Sequence, residues 1–405
     1  MTQTEQFFLE ALRASLRGET AFREDMRPED WQELFRLSDI HKVTPLVFEA
    51  VYASAGPESE VLFSELRKQV RGQIIGQTLR TGEFLRLYAA LNGAGFHPLV
   101  VKGIVCRSLY IRPDDRSSAD EDILIPEPEW ENCIRFLESW GMHPRGEADP
   151  SAHEIGWLRG PLYIELHRTL FSDEITAFRD MNRLLAGVHE NAEDYPAENG
   201  SVLVRSLSPQ EHLLYLLLHA YKHFIHSGFG LRQVCDIGLW AEKYGGRVDW
   251  ELLWEQCRST HTLGFSASVL RLAEERLGVR LALPAAWREA ASDPEPMLAD
   301  ILSAGIYGSS NASRQHSATV TFNAVEADRQ QKKSSALNSV FPPREKLLRD
   351  YPELREHPGR LPLAWGKRLW RYARETARQE NNSASDSLRI ARERKELLRF
   401  YGIID

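Results

Sequence analysis

The sequence predicts an α+β protein in which a small mixed β-sheet with helices is joined to a larger α-helical domain. Three observations carry this. Long stretches before residue 95 and after residue 207 repeat apolar residues at helical spacing, and short β-like runs are confined to the segment between them. The turns of that middle segment are rich in Pro, Asp and Gly.

Residues 1–95 read as a helical lead-in. Apolar positions return at helical spacing from Phe7 to about Tyr52, with Pro28 and Asp30 opening one helix and Thr44-Pro45 another. Leu62, Leu66, Val70 and Ile74 then step by four, followed by Phe84, Leu87 and Leu91 before Gly93-Ala94-Gly95. This pattern predicts one long helix packed on the next unit. Residues 96–206 form that unit, with strands expected at His97 to Val101, Ile123 to Ile125 and Leu162 to Leu166, and helices at Ile104 to Tyr110 and Glu127 to Trp140. Residues 207–304 read as helical again, opened by Ser208-Pro209 and broken at Gly228, Gly245-Gly246 and Gly264. The polar stretch 305–340 reads as a loop or linker, and 341–405 as an Arg-rich helical segment.

Composition narrows the function. The 405 residues are 42% hydrophobic and 10% aromatic, enough for a large core, so a wholly disordered chain is excluded. A formal charge of −8 gives no global attraction to nucleic acid or to an anionic membrane. Arg368, Arg371, Arg374, Arg378, Arg389, Arg392, Arg394, Lys395 and Arg399 interleave with Glu375, Glu380, Glu393 and Glu396 at helical distances, which reads as a salt-bridged exposed helix rather than an RNA surface. Cys106, Cys133, Cys235 and Cys257 form no C-x-x-C pair and read as buried small hydrophobes. With no signal-peptide core and no membrane-spanning run, a cytoplasmic protein is expected.

The chemistry concentrates between Lys102 and His167. Asp120 and Asp122 lie two apart at an apolar run, so on a strand both carboxylates leave one face and demand a cation. Hard divalent ions take oxygen ligands, which favours Mg²⁺, with Mn²⁺ as an alternative, over zinc. Glu165 sits within Tyr163-Ile164-Glu165-Leu166-His167, where Ile164 and Leu166 face the core and Glu165 and His167 face away. If the two strands are neighbours, three acids can hold two metals, one at an acceptor hydroxyl and one at a triphosphate. Their mutual repulsion is then expected to raise carboxylate pKa values in the metal-free protein. Lys102-Gly103 reads as a strand-to-helix turn that cradles phosphate. Arg116 reads as a fork onto a phosphate or the acids, or as a surface turn residue. His167 reads as a nucleotide contact or as a satisfied histidine beneath the site. A second cluster, His219, Lys222, His223, Arg232 and Asp236, reads equally as a buried polar network and as substrate contacts.

The run Val101-Lys102-Gly103, Leu109-Tyr110, Pro113, Arg116, Asp120-Glu121-Asp122-Ile123-Leu124-Ile125, Gly141 and Ile164-Glu165-Leu166-His167 resembles the bacterial nucleotidyltransferase family protein group of the DNA polymerase β-like superfamily. That group reads L-K-G, Y-x-x-P-x-x-R-x-x-x-D-x-D-L-L-V and E-x-H. The likeness continues through Leu207-Ser208-Pro209, His219, His223, Leu231-Arg232, Cys235-Asp236, Asp249-Trp250, Phe341-Pro342-Pro343 and Tyr351-Pro352. It implies a minimal nucleotidyltransferase core at 96–206, metal ligation by Asp120, Asp122 and Glu165, an NTP substrate and a small-molecule, peptide or protein acceptor. The superfamily's usual Gly-Ser turn stands here as Lys102-Gly103.

Overall fold

The computed structural model describes the chain except residues 55, 57–58, 147–151, 174, 198–199, 227, 306–320, 327, 329–343, 349–350, 368–369, 371–383 and 405. Four helices lead in: α1 (Gln3–Arg17), α2 (Pro28–Ile40), α3 (Thr44–Val51) and α4 (Glu60–Gly93). The start of α1 is a capping box between Thr2 and Glu5, and its end is Gly18 in the left-handed region. Helix α4 runs 34 residues as its apolar spacing predicts, burying Phe63, Leu66, Val70, Phe84, Leu87 and Leu91.

The middle segment holds β1 (Leu99–Val100), α5 (Gly103–Arg107), β2 (Glu121–Leu124), α6 (Trp130–Ser139), β3 (His143–Pro144), β4 (Glu154–Arg159) and β5 (Leu162–His167). The strands form one mixed sheet in the order β1-β2-β5-β4-β3. Among the described residues only β2 and β5 pair in parallel, with Asp122 opposite Glu165 and Leu124 opposite His167. This register puts the acids of two separate sequence motifs side by side at one level of the sheet. After α7 (Thr176–Leu184), β6 (Glu193–Ala197) and β7 (Val202–Ser206) make a separate antiparallel hairpin.

The helical region follows as α8 (Pro209–His226), α9 (Leu231–Tyr244), α10 (Trp250–Ser259), α11 (Leu263–Leu277), α12 (Ala285–Ala290) and α13 (Glu295–Ala304). Gly264 does not break this run: it lies inside α11, and the preceding break is at His261, which has φ 55°. Gly264 instead admits close packing, since a Cβ there would meet the Tyr401 carbonyl oxygen at 2.6 Å. One contiguous apolar cluster runs from Phe7 through the sheet and α8–α13 to Ile404.

The Arg-rich helix, α14 (Ala384–Phe400), is only partly the solvated face expected of it. Arg389 and Glu393 form the anticipated i,i+4 pair at 2.8 Å. Arg394 is buried, paired with Asp300 at 2.9 Å and donating to the Phe224 carbonyl of α8. The linker expected at 305–340, the Phe341-Pro342-Pro343 motif and Arg368, Arg371, Arg374 and Arg378 lie almost wholly or wholly outside the described residues. All four cysteines are buried and unbridged. Among the described residues, no helix is long and apolar enough to cross a membrane.

Candidate active site

The parallel β2/β5 pair ends in a cleft of about 370 Å³. Its floor carries Asp120, Asp122, Glu165, His167, Glu154 and Lys102, and helix α8 supplies the facing wall with Tyr215, His219, Lys222, His223 and His226. All three acids singled out in the sequence therefore meet in one cleft. Ligand atoms of Asp122, Glu165 and His167 lie within 4.8 Å of one another, whereas Asp120, just ahead of β2, lines the cleft outside this close group.

The charges are not arranged as simple repulsion. Asp122 is 1% exposed, and burial alone would favour its neutral form. Lys102 Nζ at 3.0 Å from Oδ1 and His167 Nε2 at 3.2 Å from the same oxygen outweigh that cost and hold the carboxyl well below the usual carboxylate range. The expected upward shift is thus reversed at Asp122. It holds at Glu165, which burial first, and then the charges of Asp122 and Asp120, push above its ordinary value. Glu165 also accepts from the Tyr163 hydroxyl at 3.1 Å. Gly156, paired with Glu165 on β4, leaves room for that phenol, since a Cβ there would meet Tyr163 Oη at 2.6 Å.

Lys102 and Gly103 stand at the strand-to-helix turn, but the amide that follows Gly103 is already engaged. Ile104 N–H donates to Glu121 Oε2 at 2.8 Å, and Glu121 Oε1 pairs with the buried Arg107 at 2.6 Å. Gly103 has φ 46°, and a Cβ on it would lie 1.8 Å from Glu121 Oε2. The close approach that requires glycine is therefore to a carboxylate of the same chain, and the phosphate-cradle reading of Gly103 gives way to a packing one. Sequence reasoning passes over Glu121. The available signal is its alternation with the aspartates, which turns an acid toward the core, where it requires a cation.

Arg116 turns away from the acids. Its guanidinium forks onto Asp236 of α9, and both side chains are buried. Arg232 donates to the Ser117 carbonyl at 2.5 Å. These two α9 residues hold the 116–118 loop instead of facing substrate, and neither lines the cleft. His219 and His223, from the same sequence cluster, do line it. Their ring centroids are 4.5 Å apart, and His219 Nε2 is 3.2 Å from Lys102 Nζ. Burial drives both imidazoles well below their ordinary pKa, with Lys102 adding to this at His219 and Lys222 at His223, so both are neutral at pH 7. Glu154 and Tyr215 join the site unannounced by the sequence, Glu154 because its strand does not alternate cleanly and Tyr215 because, one turn before His219 on α8, it reads as an ordinary core aromatic.

A buried array of carboxylates and cationic or imidazole groups in an open cleft suits the handling of a metal ion and a phosphorylated substrate. A search of curated proteins found no match to the chain. Residues 27–278, more than half of its 405 residues, match a family described as uncharacterised nucleotidyltransferase. The matched region contains both the sheet and the α8 wall, and the chain belongs to that nucleotidyltransferase family.

Proposed function

We propose that the cleft transfers a nucleoside monophosphate from an NTP to a hydroxyl or phosphate acceptor, with release of pyrophosphate. The observation that carries this reading is the convergence of Asp120, Asp122 and Glu165 on one cleft beside Lys102. The donor set fits a divalent cation on a feature of its own: Asp122 Oδ2 is buried and has no hydrogen-bond partner among the described residues. Asp120, Asp122 and Glu165 would hold Mg²⁺ or Mn²⁺, which when bound would supply charge neutralisation at the phosphates and activation of the acceptor oxygen.

The chain's own residues do the rest. Lys102 offers a positive charge beside the acids for a phosphate oxygen. The neutral imidazoles of His219 and His223 line the wall facing the acids, where a ring nitrogen can accept a hydrogen bond from an acceptor hydroxyl. Tyr163 orients Glu165 by its hydrogen bond. The acceptor is a small molecule, a peptide or a protein, and the formal charge of −8 argues against a polynucleotide.

A second reading, nucleotide binding without turnover, draws on the 3.0 Å ion pair of Lys102 with Asp122, which already neutralises that carboxylate. Incubation with each NTP and Mg²⁺ or Mn²⁺, with assay of pyrophosphate and mass spectrometry of nucleotide adducts, separates the two. Pyrophosphate release that disappears in Asp122→Asn supports transfer. Saturable NTP binding with no pyrophosphate or adduct under any NTP supports the binding reading.

A further inference from the structure

His167 is 3% exposed and lines the cleft. Its Nε2 lies 3.2 Å from Asp122 Oδ1 and 3.9 Å from Glu165 Oε2, so the nitrogen shares the space between the two acids. The opposite ring atom, Nδ1, faces Glu154 Oε2 at 3.6 Å, and Glu154 is the cross-strand partner of His167 on β4. Without metal, Nε2 donates to the Asp122 carboxylate, and a cation seated between the two acids would take that proton's place on the nitrogen, with the proton moving to Nδ1 on the Glu154 side. Asp122 Oδ2, buried and without a hydrogen-bond partner among the described residues, supplies an independent sign that a cation belongs among these groups.

Resting on the metal-dependent reading of the cleft, we propose that His167 is itself a metal ligand, so that the centre is a mixed nitrogen and oxygen one that takes Mn²⁺ in preference to Mg²⁺. Mg²⁺ demands oxygen ligands in near-ideal octahedral geometry and gives up water reluctantly. An imidazole nitrogen adds affinity for first-row transition ions. The carboxylates of Asp122 and Glu165 keep the set hard enough for Mn²⁺ and its phosphate ligands.

The test is titration of the full chain with Mn²⁺, with Mg²⁺ as competitor, followed by pulsed electron paramagnetic resonance of the bound Mn²⁺ for coupling to a directly ligated ¹⁴N. The expected result is Mn²⁺ binding at least about tenfold tighter than Mg²⁺, with nitrogen coupling that persists in His219→Gln and is lost in His167→Asn together with about tenfold or more in Mn²⁺ affinity. If His167→Asn does not fold, coupling that persists in each of His219→Gln, His223→Gln and His226→Gln assigns the nitrogen to His167. Bound Mn²⁺ without nitrogen coupling, or coupling abolished by His219→Gln, overturns the ligand role of His167 and leaves the carboxylate centre standing. Absence of any Mn²⁺ or Mg²⁺ binding, with or without a non-hydrolysable NTP analogue, overturns the metal reading of the cleft as well.

Discussion

Arg116 grips Asp236 with two parallel hydrogen bonds, Nε to Oδ1 at 2.8 Å and Nη2 to Oδ2 at 2.6 Å, both residues being buried. Tyr110 donates a third hydrogen bond to Oδ1 at 2.8 Å, so the carboxylate ties the loop ahead of β2 to helix α9. Removing one partner leaves a buried charge unpaired, a loss of roughly 3–5 kcal/mol. Arg116→Ala should therefore lower the urea midpoint strongly. Arg116→Met combined with Asp236→Leu should recover part of the loss, because an apolar pair leaves no orphan charge. Equal destabilisation by the single and double variants would contradict this account.

Gly103 gives a second prediction. An alanine at φ 46° is strained by about 1–2 kcal/mol, and its Cβ would invade the carboxylate of Glu121, adding a packing cost of about 1–3 kcal/mol. Glu121 cannot retreat without abandoning Arg107 and the Ile104 amide. Chemical denaturation of Gly103→Ala should show a loss of a few kcal/mol in the absence of any nucleotide. A variant as stable as the parent but defective in NTP binding would restore the phosphate role.

Lys102 stands where a cation beside Asp122 is needed in the metal-free protein. Lys102→Met leaves that buried carboxylate with His167 alone, at a cost of roughly 3 kcal/mol. If metal replaces the ammonium, Mn²⁺ should raise the melting temperature of Lys102→Met by more than it raises that of the parent, since a ligand preferring the native state stabilises it by mass action. A smaller gain in the variant would show that Lys102 assists the cation instead of standing in for it.

His41 and His212 weaken the fold in acid, alongside His219 and His223. Burial lowers His41 and His212 each to about 3, so both stay neutral in the folded chain while their unfolded counterparts protonate near pH 6.5. The unfolded state then binds more protons, and stability falls as pH drops from about 6.5 toward 3. Each histidine adds about 1.4 kcal/mol of loss per pH unit once its unfolded form is charged. Urea unfolding at pH 7, 6 and 5 should show a shallower decline in His212→Gln than in the parent. Parallel slopes would remove His212 from the acid response.

Much of this arrangement is legible in the order of the amino acids alone. The four-residue steps of α4 and the Ser208-Pro209 opening of the helical region are visible there because helical periodicity is local. Asp122 and Glu165 stand out because an acid inside a short apolar run is conspicuous. Strand β4 escapes, since Glu-Ile-Gly-Trp-Leu-Arg does not alternate cleanly and its glycine answers to Tyr163 on the neighbouring strand. Strand β6 is hidden by Pro196, which argues against a strand. The partners of Arg116, Glu121 and Arg394 are out of reach for another reason. Each is chosen by tertiary placement, and an arginine destined for a buried carboxylate looks in sequence like one destined for solvent.

Arg394 also bears on the order in which the site can be completed. It fastens Asp300 and the Phe224 carbonyl, 170 residues upstream on the helix that walls the cleft. During synthesis, sheet and wall both emerge well before the residue that pins the wall's end. The Phe224 end of α8 is therefore set last, by closure across a long stretch of chain, after the rest of the helix has its partners in α9, α10 and α11.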